Sequence, residues 1–250
     1  MFNNTKFAVV VLDIPFDNNY FNKYEKINWS AGKELCLQSI EKYCKKYQLD
    51  FVKIDRIKIL HELDKNFVSN NSVLQVRQIV IEKFQLRDIL KKYDRILYLD
   101  TDCFVHKNTE NIFDTNNNLF YIGNSDDYFK EKSKHTWEIL CEKNNIEIPF
   151  AMNNGGFFTM SKKHIEIFNY LDMFGKDLLQ AKFIDQTFIT SVSSYIYNQT
   201  LDIDFKPTSI PIKYRGKKND IVTKFGVRHF AGLKGKQYLM DNISHYEAII

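Results

Sequence analysis

The chain lacks a long apolar run. Its first apolar stretch, Phe7 to Leu12, holds six residues before Asp13 interrupts it. That is shorter than the core of a secretory leader and far short of the roughly 20 residues a membrane-spanning helix needs. It reads as a first strand, and contact with a membrane is expected only from the surface. An excess of one charge is also lacking: 35 Lys and Arg face 31 Asp and Glu among 250 residues, too even a balance to point to nucleic acid. Cysteine is scarce, and Cys36, Cys44, Cys103 and Cys141 show neither CxxC spacing nor a zinc pattern. Cys36 and Cys44 fall in one expected helix, about 12 Å apart by helical rise, too far for a disulfide. Reduced thiols and a cytoplasmic setting are therefore expected. Internal repeats are absent, and the Asn-rich stretch from Asn108 to Asn118 is too short to be a low-complexity domain. With 44% hydrophobic and 26% charged residues the chain is an ordinary globular one, not a disordered one.

What is present is most informative from Ile96 to Val105, ILYLDTDCFV, where an apolar run stops at two aspartates one residue apart. Four consecutive apolar residues suit a strand buried on both faces, as in a parallel sheet. Ligands of open α/β sheets sit beyond the carboxyl ends of strands. Alternation along an extended chain would point Asp100 and Asp102 the same way. Two such carboxylates make a site for a hard cation, Mg²⁺ or Mn²⁺, which such sites share with substrate phosphates. Loop aspartates that cap a turn give the same triplet.

The flanking pattern fits an α/β domain. Phe7–Leu12 and Asp50–Ile54 read as strands, with a helix from a Ser30 cap to Tyr47 between them. A helix is expected over 73–92, with Val76, Ile79, Val80, Phe84 and Ile89 inward, and it delivers the chain to ILYLD. Strands follow at 119–123 and 156–160, helices at 130–143, after Ser161, and at 185–197, and a last strand or loop at 226–230. Charge is uneven only locally: Lys213, Arg215, Lys217, Lys218, Lys224, Arg228, Lys234 and Lys236 stand with Asp220 as the one acid, which suits an anion or a solvated face.

The segment from Lys83 to Asp114, KFQLRDILKKYDRILYLDTDCFVHKNTENIFD, resembles the metal-binding region of GT-A glycosyltransferases, most closely the glycogenin-like group of glycosyltransferase family 8. NNGGFF at Asn153 to Phe158 is similar to that family's N-A-G segment, FIDQ at Phe183 to Gln186 to its D-Q motif, and RHFAG at Arg228 to Gly232 to its late His-x-x-Gly motif. The resemblance runs in order from Phe7 to Lys236. It implies a GT-A, Rossmann-like nucleotide-diphospho-sugar transferase fold with a mixed, mainly parallel central sheet, in one domain over 1–250 whose basic segment 213–250 closes over the donor.

The resemblance also implies roles. Asp100, Asp102 and His229 would hold Mn²⁺ (or Mg²⁺) against a nucleotide-sugar donor, UDP-linked, and the imidazole leans the set toward Mn²⁺. Lys83, Asp100, Asn154, Gly155, Gly156, Gly232, Lys234 and Lys236 would contact that donor. Asp185 and Gln186 would face the reacting sugar, and Asp126 and Asp127 lie where relatives place a donor-sugar aspartate. The family's lysine after His-x-x-Gly falls here on Gly235, with Lys234 and Lys236 on either side, so which lysine serves stays open. The function implied is transfer of a hexose or N-acetylhexosamine, with retention, to a carbohydrate, glycoprotein or glycolipid acceptor. One alternative is a sugar nucleotidyltransferase, which generally carries a Gly-rich phosphate loop after its first strand, and VLDIPFDNNYFN has no glycine. Another is a non-catalytic glycan- or protein-binding module on the same fold.

Overall fold

Three parallel strands set the plan of the molecule: β1 (Phe7–Leu12), β2 (Asp50–Ile54) and β3 (Arg95–Leu99), with β1 in the middle. The computed structural model describes residues 5–15, 29–63, 79–114, 121–123, 141–146, 154–180, 184–206, 208–210, 213–214 and 226–250. The apolar runs of β1 and β3 have no polar alternation because both faces are covered. Val9, Val11, Leu97 and Leu99 pack with Leu37 and Ile40 of α1 (Ser30–Tyr47). Ala8, Val10, Ile96 and Tyr98 face the other way, onto Ile189 and Val192 of α2 (Ile184–Thr200). Emptying one of these sites, as in Leu97→Ala, costs about 2–5 kcal/mol in such cores.

Beyond β3 the direction changes. β4 (Cys103–Val105) leaves the sheet, while β5 (Tyr121–Gly123), β6 (Asn154–Ser161) and β7 (Thr208–Ile210) extend it in the order β2-β1-β3-β6-β5-β7. β6 is antiparallel to β3 and β5, and β7 is parallel to β5, so the sheet is mixed and mainly parallel, as expected. A small second sheet joins β4 to β9 (Val227–His229), antiparallel, and β9 to β8 (Lys213–Tyr214). It is followed by α3 (Gly232–Asp241) and α4 (Ile243–Ile249). Their Leu239 and Tyr246 close a third core with Leu35, Cys36, Phe104 and Phe230.

Several local expectations change. α1 starts at Ser30 itself, so Trp29 and not Ser30 takes the capping position, without a side-chain cap. Where the helix expected over 73–92 is described it is a 3₁₀ run, Val80–Gln85, followed by one α turn, Leu86–Ile89. Residues 73–78 lie outside the described residues. The tighter winding stacks positions three apart, and Ile81 and Phe84 are both fully buried. Between them Glu82, also buried, accepts the backbone N–H groups of Lys58, Ile59 and Leu60 at 2.8–2.9 Å, capping the short helix Ile59–Leu63. The strand expected at 156–160 runs over eight residues: Phe157–Ser161 pair with β3, and Asn154 and Phe158 pair with β5 across a register irregularity at Ile122/Gly123. Of the helix expected over 130–143 only 141–143 is described, and it is helical. Asp126 and Asp127 lie outside the described residues. All four cysteines are buried and free. Among the described residues no helix is long and apolar enough to cross a membrane.

Candidate functional site

Asp100 and Asp102 stand on a turn, not on an extended continuation of β3. Asp100 N–H donates to Gly156 O at 2.9 Å, and Cys103 N–H donates back to Asp100 O at 2.9 Å, reversing the chain into β4. Strand alternation is therefore not what brings the carboxylates together. The antiparallel register of β4 with β9 sets His229 opposite Cys103, and Phe230 N–H donates to Asp102 O at 2.9 Å. His229 Nε2 then lies 2.9 Å from Asp102 Oδ1 and 3.7 Å from Asp100 Oδ2. Both aspartates and the histidine meet at the carboxyl end of β3, where an α/β sheet leaves a crevice.

These residues fit a divalent cation. Asp102 Oδ1 is buried and makes no hydrogen bond of acceptable geometry, although the imidazole nitrogen is beside it. Two ligand atoms 2.9 Å apart match the edge of an octahedron with metal–ligand bonds of about 2.1 Å, which is ~3.0 Å. Two carboxylates with one imidazole suit Mn²⁺ or Mg²⁺. Burial works to raise the Asp102 carboxyl, but Lys236 and His229 outweigh it and hold it well below the usual carboxylate range. Burial would lower the His229 imidazole, yet Asp102 beside it sets it above its ordinary value. Cys103 Sγ is within 4.8 Å of the Asp102 and His229 ligand atoms. Its thiol donates to Gly156 O at 3.3 Å, and burial pushes its pKa well up, so it packs as a neutral core thiol.

A second cluster backs onto Asp100. Lys83, 3% exposed, places Nζ 2.9 Å from Asp100 Oδ1 and 2.5 Å from Asp185 Oδ2, and donates to Gly155 O at 2.9 Å. Burial would lower its pKa, but Asp100 and Asp185 raise it above the ordinary lysine value. Asp185 and Gln186 occupy the first turn of α2 and are nearly buried. Gln186 Oε1 accepts the Gly155 N–H at 3.0 Å. A Cβ on Gly155 would stand 2.5 Å from Asp185 Oδ2, so only glycine lets β6 run against this turn. The Gly155 N–H thus faces Gln186, and Gly156 O braces the Asp100 turn. Asn154 begins β6.

The C-terminal elements settle which lysine reaches the aspartates. Gly235 packs on the Phe230 backbone, where a Cβ would be 2.5 Å from the carbonyl carbon, so no lysine fits there. Lys236, one residue on, puts Nζ 2.7 Å from Asp102 Oδ2 and 5.2 Å from the centre of the Trp29 ring. Lys234 is exposed. Gly232 opens α3 with φ +68°, a conformation that favours glycine. Sequence reasoning missed Tyr98, whose hydroxyl donates to Asp100 Oδ1 at 2.8 Å, and Trp29. The signal for Tyr98 was available: it carries the one hydroxyl in the apolar run and sits two residues before Asp100.

Comparison with known proteins adds a family match. The glycosyl transferase family 8 profile matches residues 3–232. A glycosyltransferase involved in glycosylation of the major capsid of PBCV-1 superposes with a TM-score of 0.52 at 11% identity, over 98% of this chain and 100% of that one. The apo structure of WbbM, a bifunctional glycosyltransferase, gives a TM-score of 0.54 at 16% identity, over 98% of this chain and 50% of that one. The chain thus spans half the length of WbbM. At these identities the likeness is one of fold. No curated protein matches the sequence.

Proposed function

The chain belongs to glycosyl transferase family 8 and is a glycosyltransferase, and from that premise we propose that it uses a UDP-linked sugar, a hexose or N-acetylhexosamine, and retains the anomeric configuration. The acceptor is a glycan, protein or lipid-linked saccharide, and 1–250 acts as one domain. The observation that carries this reading is the convergence of Asp100, Asp102 and His229 at the carboxyl end of β3, 2.9 and 3.7 Å apart about the imidazole nitrogen.

In this reading Asp100, Asp102 and His229 hold Mn²⁺ (or Mg²⁺), and Lys236 lies on the same side of the turn. When bound, such an ion would supply positive charge for the departing nucleoside diphosphate. Lys236 now neutralises Asp102; with a diphosphate present its ammonium has a second anion to pair with. Asp185 faces the reacting sugar. Lys83 fixes it by Oδ2, and its carboxylate favours the positive charge that gathers at the anomeric carbon in an oxocarbenium-like transition state. Gln186, with Oε1 engaged by Gly155, offers its amide N–H groups to sugar oxygens. The first turn of α2 and the paired glycines of β6 shape that side of the pocket.

The test is UDP release from a panel of UDP-sugars with Mn²⁺, with and without chelator, for the natural protein and Asp102→Asn. Turnover should fall by at least about 10²-fold in the variant with its circular dichroism unchanged. Equal turnover in the variant or in excess chelator contradicts the metal-dependent reading.

A further inference from the structure

Tyr98 belongs to no motif, yet it touches both charged clusters. Its side chain is fully buried. Its hydroxyl donates to Asp100 Oδ1 at 2.8 Å. The same oxygen receives Lys83 Nζ at 2.9 Å. The ammonium also lies 4.8 Å from the centre of the Tyr98 ring. On its other contact the ring stacks against Phe158, its partner in the β3–β6 register, with centroids 4.8 Å apart and planes 15° off parallel.

Packing alone does not call for this hydroxyl. Neighbouring positions on this face of the sheet are Ala8, Val10 and Ile96, and a phenylalanine would fill the same volume. A buried hydroxyl is costly unless it is hydrogen-bonded, and here its partner is a carboxylate of the proposed metal site. With Oδ1 taken by Tyr98 and Lys83, Oδ2 is the oxygen turned toward His229.

Resting on the function proposed above, we propose that Tyr98 is a positioning residue that makes Asp100 a one-oxygen metal ligand, through Oδ2, and thereby favours Mn²⁺ or Mg²⁺ over Ca²⁺. A carboxylate released from one of its two donors can turn and offer both oxygens. Two-oxygen ligation and high coordination number suit the larger Ca²⁺, while the smaller ions keep near-octahedral geometry. Groups that orient a ligand change metal affinity by about 10–100-fold when removed.

Tyr98→Phe isolates the hydroxyl, since the ring, the Phe158 stack and the Lys83 contact remain. Uptake of Mn²⁺ in the presence of UDP, read from the electron paramagnetic resonance signal of free Mn²⁺, gives affinity without turnover, and Ca²⁺ is the competitor. Affinity for Mn²⁺ should fall about tenfold in Tyr98→Phe, and Ca²⁺ should displace Mn²⁺ at a lower ratio than in the natural protein. Phe158→Leu is the control: it removes the stack and lowers the melting temperature without moving the Mn²⁺/Ca²⁺ ratio. If Tyr98→Phe matches the natural protein in both readings, or if Phe158→Leu shifts the ratio equally, the inference is overturned and Tyr98 is only core. If the natural protein itself takes up no Mn²⁺ with UDP, the metal-dependent function fails first.

Discussion

Each aspartate of the turn has its own lysine, and the two pairs are built differently. Lys83 on the Asp100 side is 3% exposed and held by Asp100, Asp185, the Gly155 carbonyl and the face of Tyr98. Lys236 on the Asp102 side is 20% exposed and comes from a surface helix, held by Asp102 Oδ2 and the face of Trp29. A buried cation shared by two carboxylates cannot leave without stranding both. A cation at a rim has water and ligands as alternative partners, and Asp102 keeps His229 beside it when Lys236 turns away. The same ion-pair chemistry thus makes one anchor and one exchangeable contact. Lys83 ties the proposed metal side to the proposed sugar side through Asp185, and in the proposed reading Lys236 is the lysine that turns to the diphosphate.

The strongest attempt to break this comparison is Lys83→Ala. It should cost about 3–5 kcal/mol of stability, the usual penalty for removing one partner from a buried ionic set, measured by urea unfolding. A loss no larger than that of Lys236→Ala would put Lys83 in the same class as Lys236. Next comes Asp185→Asn, which keeps the shape of the anchored side and removes its charge. Turnover should drop about 10²–10³-fold while UDP affinity holds, the signature of an interaction made in the transition state. An equal loss of UDP binding would make Asp185 a donor-positioning residue instead. Lys236→Ala should be milder still, weakening Mn²⁺-UDP binding about tenfold, near 1.4 kcal/mol, with a smaller loss of unfolding free energy than Lys83→Ala. The smallest effect belongs to Lys234→Ala, whose donor affinity should change by less than about twofold, as for a solvated surface charge. Calorimetry on both lysine variants checks the pair, and a reversed order would return the diphosphate contact to Lys234.

Much of this architecture was legible in the sequence because it rests on local pattern. The uninterrupted apolar runs at Phe7–Leu12 and Ile96–Leu99 announced strands covered on both faces, and the spacing in Ser30–Tyr47 announced a helix. What stayed hidden depends on distant partners. The antiparallel course of β6 is set by pairing with β3 and β5, not by anything within Asn154–Ser161. The segment read as a basic tail is in its later part α3 and α4, held by Leu239 and Tyr246 against α1. In the site, the residue types were readable and the contacts were not. Spacing named Lys83, Asp100 and Asp185 but could not say that one ammonium serves both carboxylates. Gly235 in place of a lysine made sense only once Phe230 was found beneath it.

The central claim is that the turn after β3 and the strand β9 ligate one ion, and electron spin-echo spectroscopy of Mn²⁺ bound with UDP tests it most directly. A nitrogen ligand from His229 should give a ¹⁴N coupling to the bound Mn²⁺ in the natural protein. In His229→Ala that coupling should vanish while residual Mn²⁺-UDP still binds through Asp100 and Asp102. Bound Mn²⁺ without nitrogen coupling in the natural protein, or the same coupling in His229→Ala, would contradict the account.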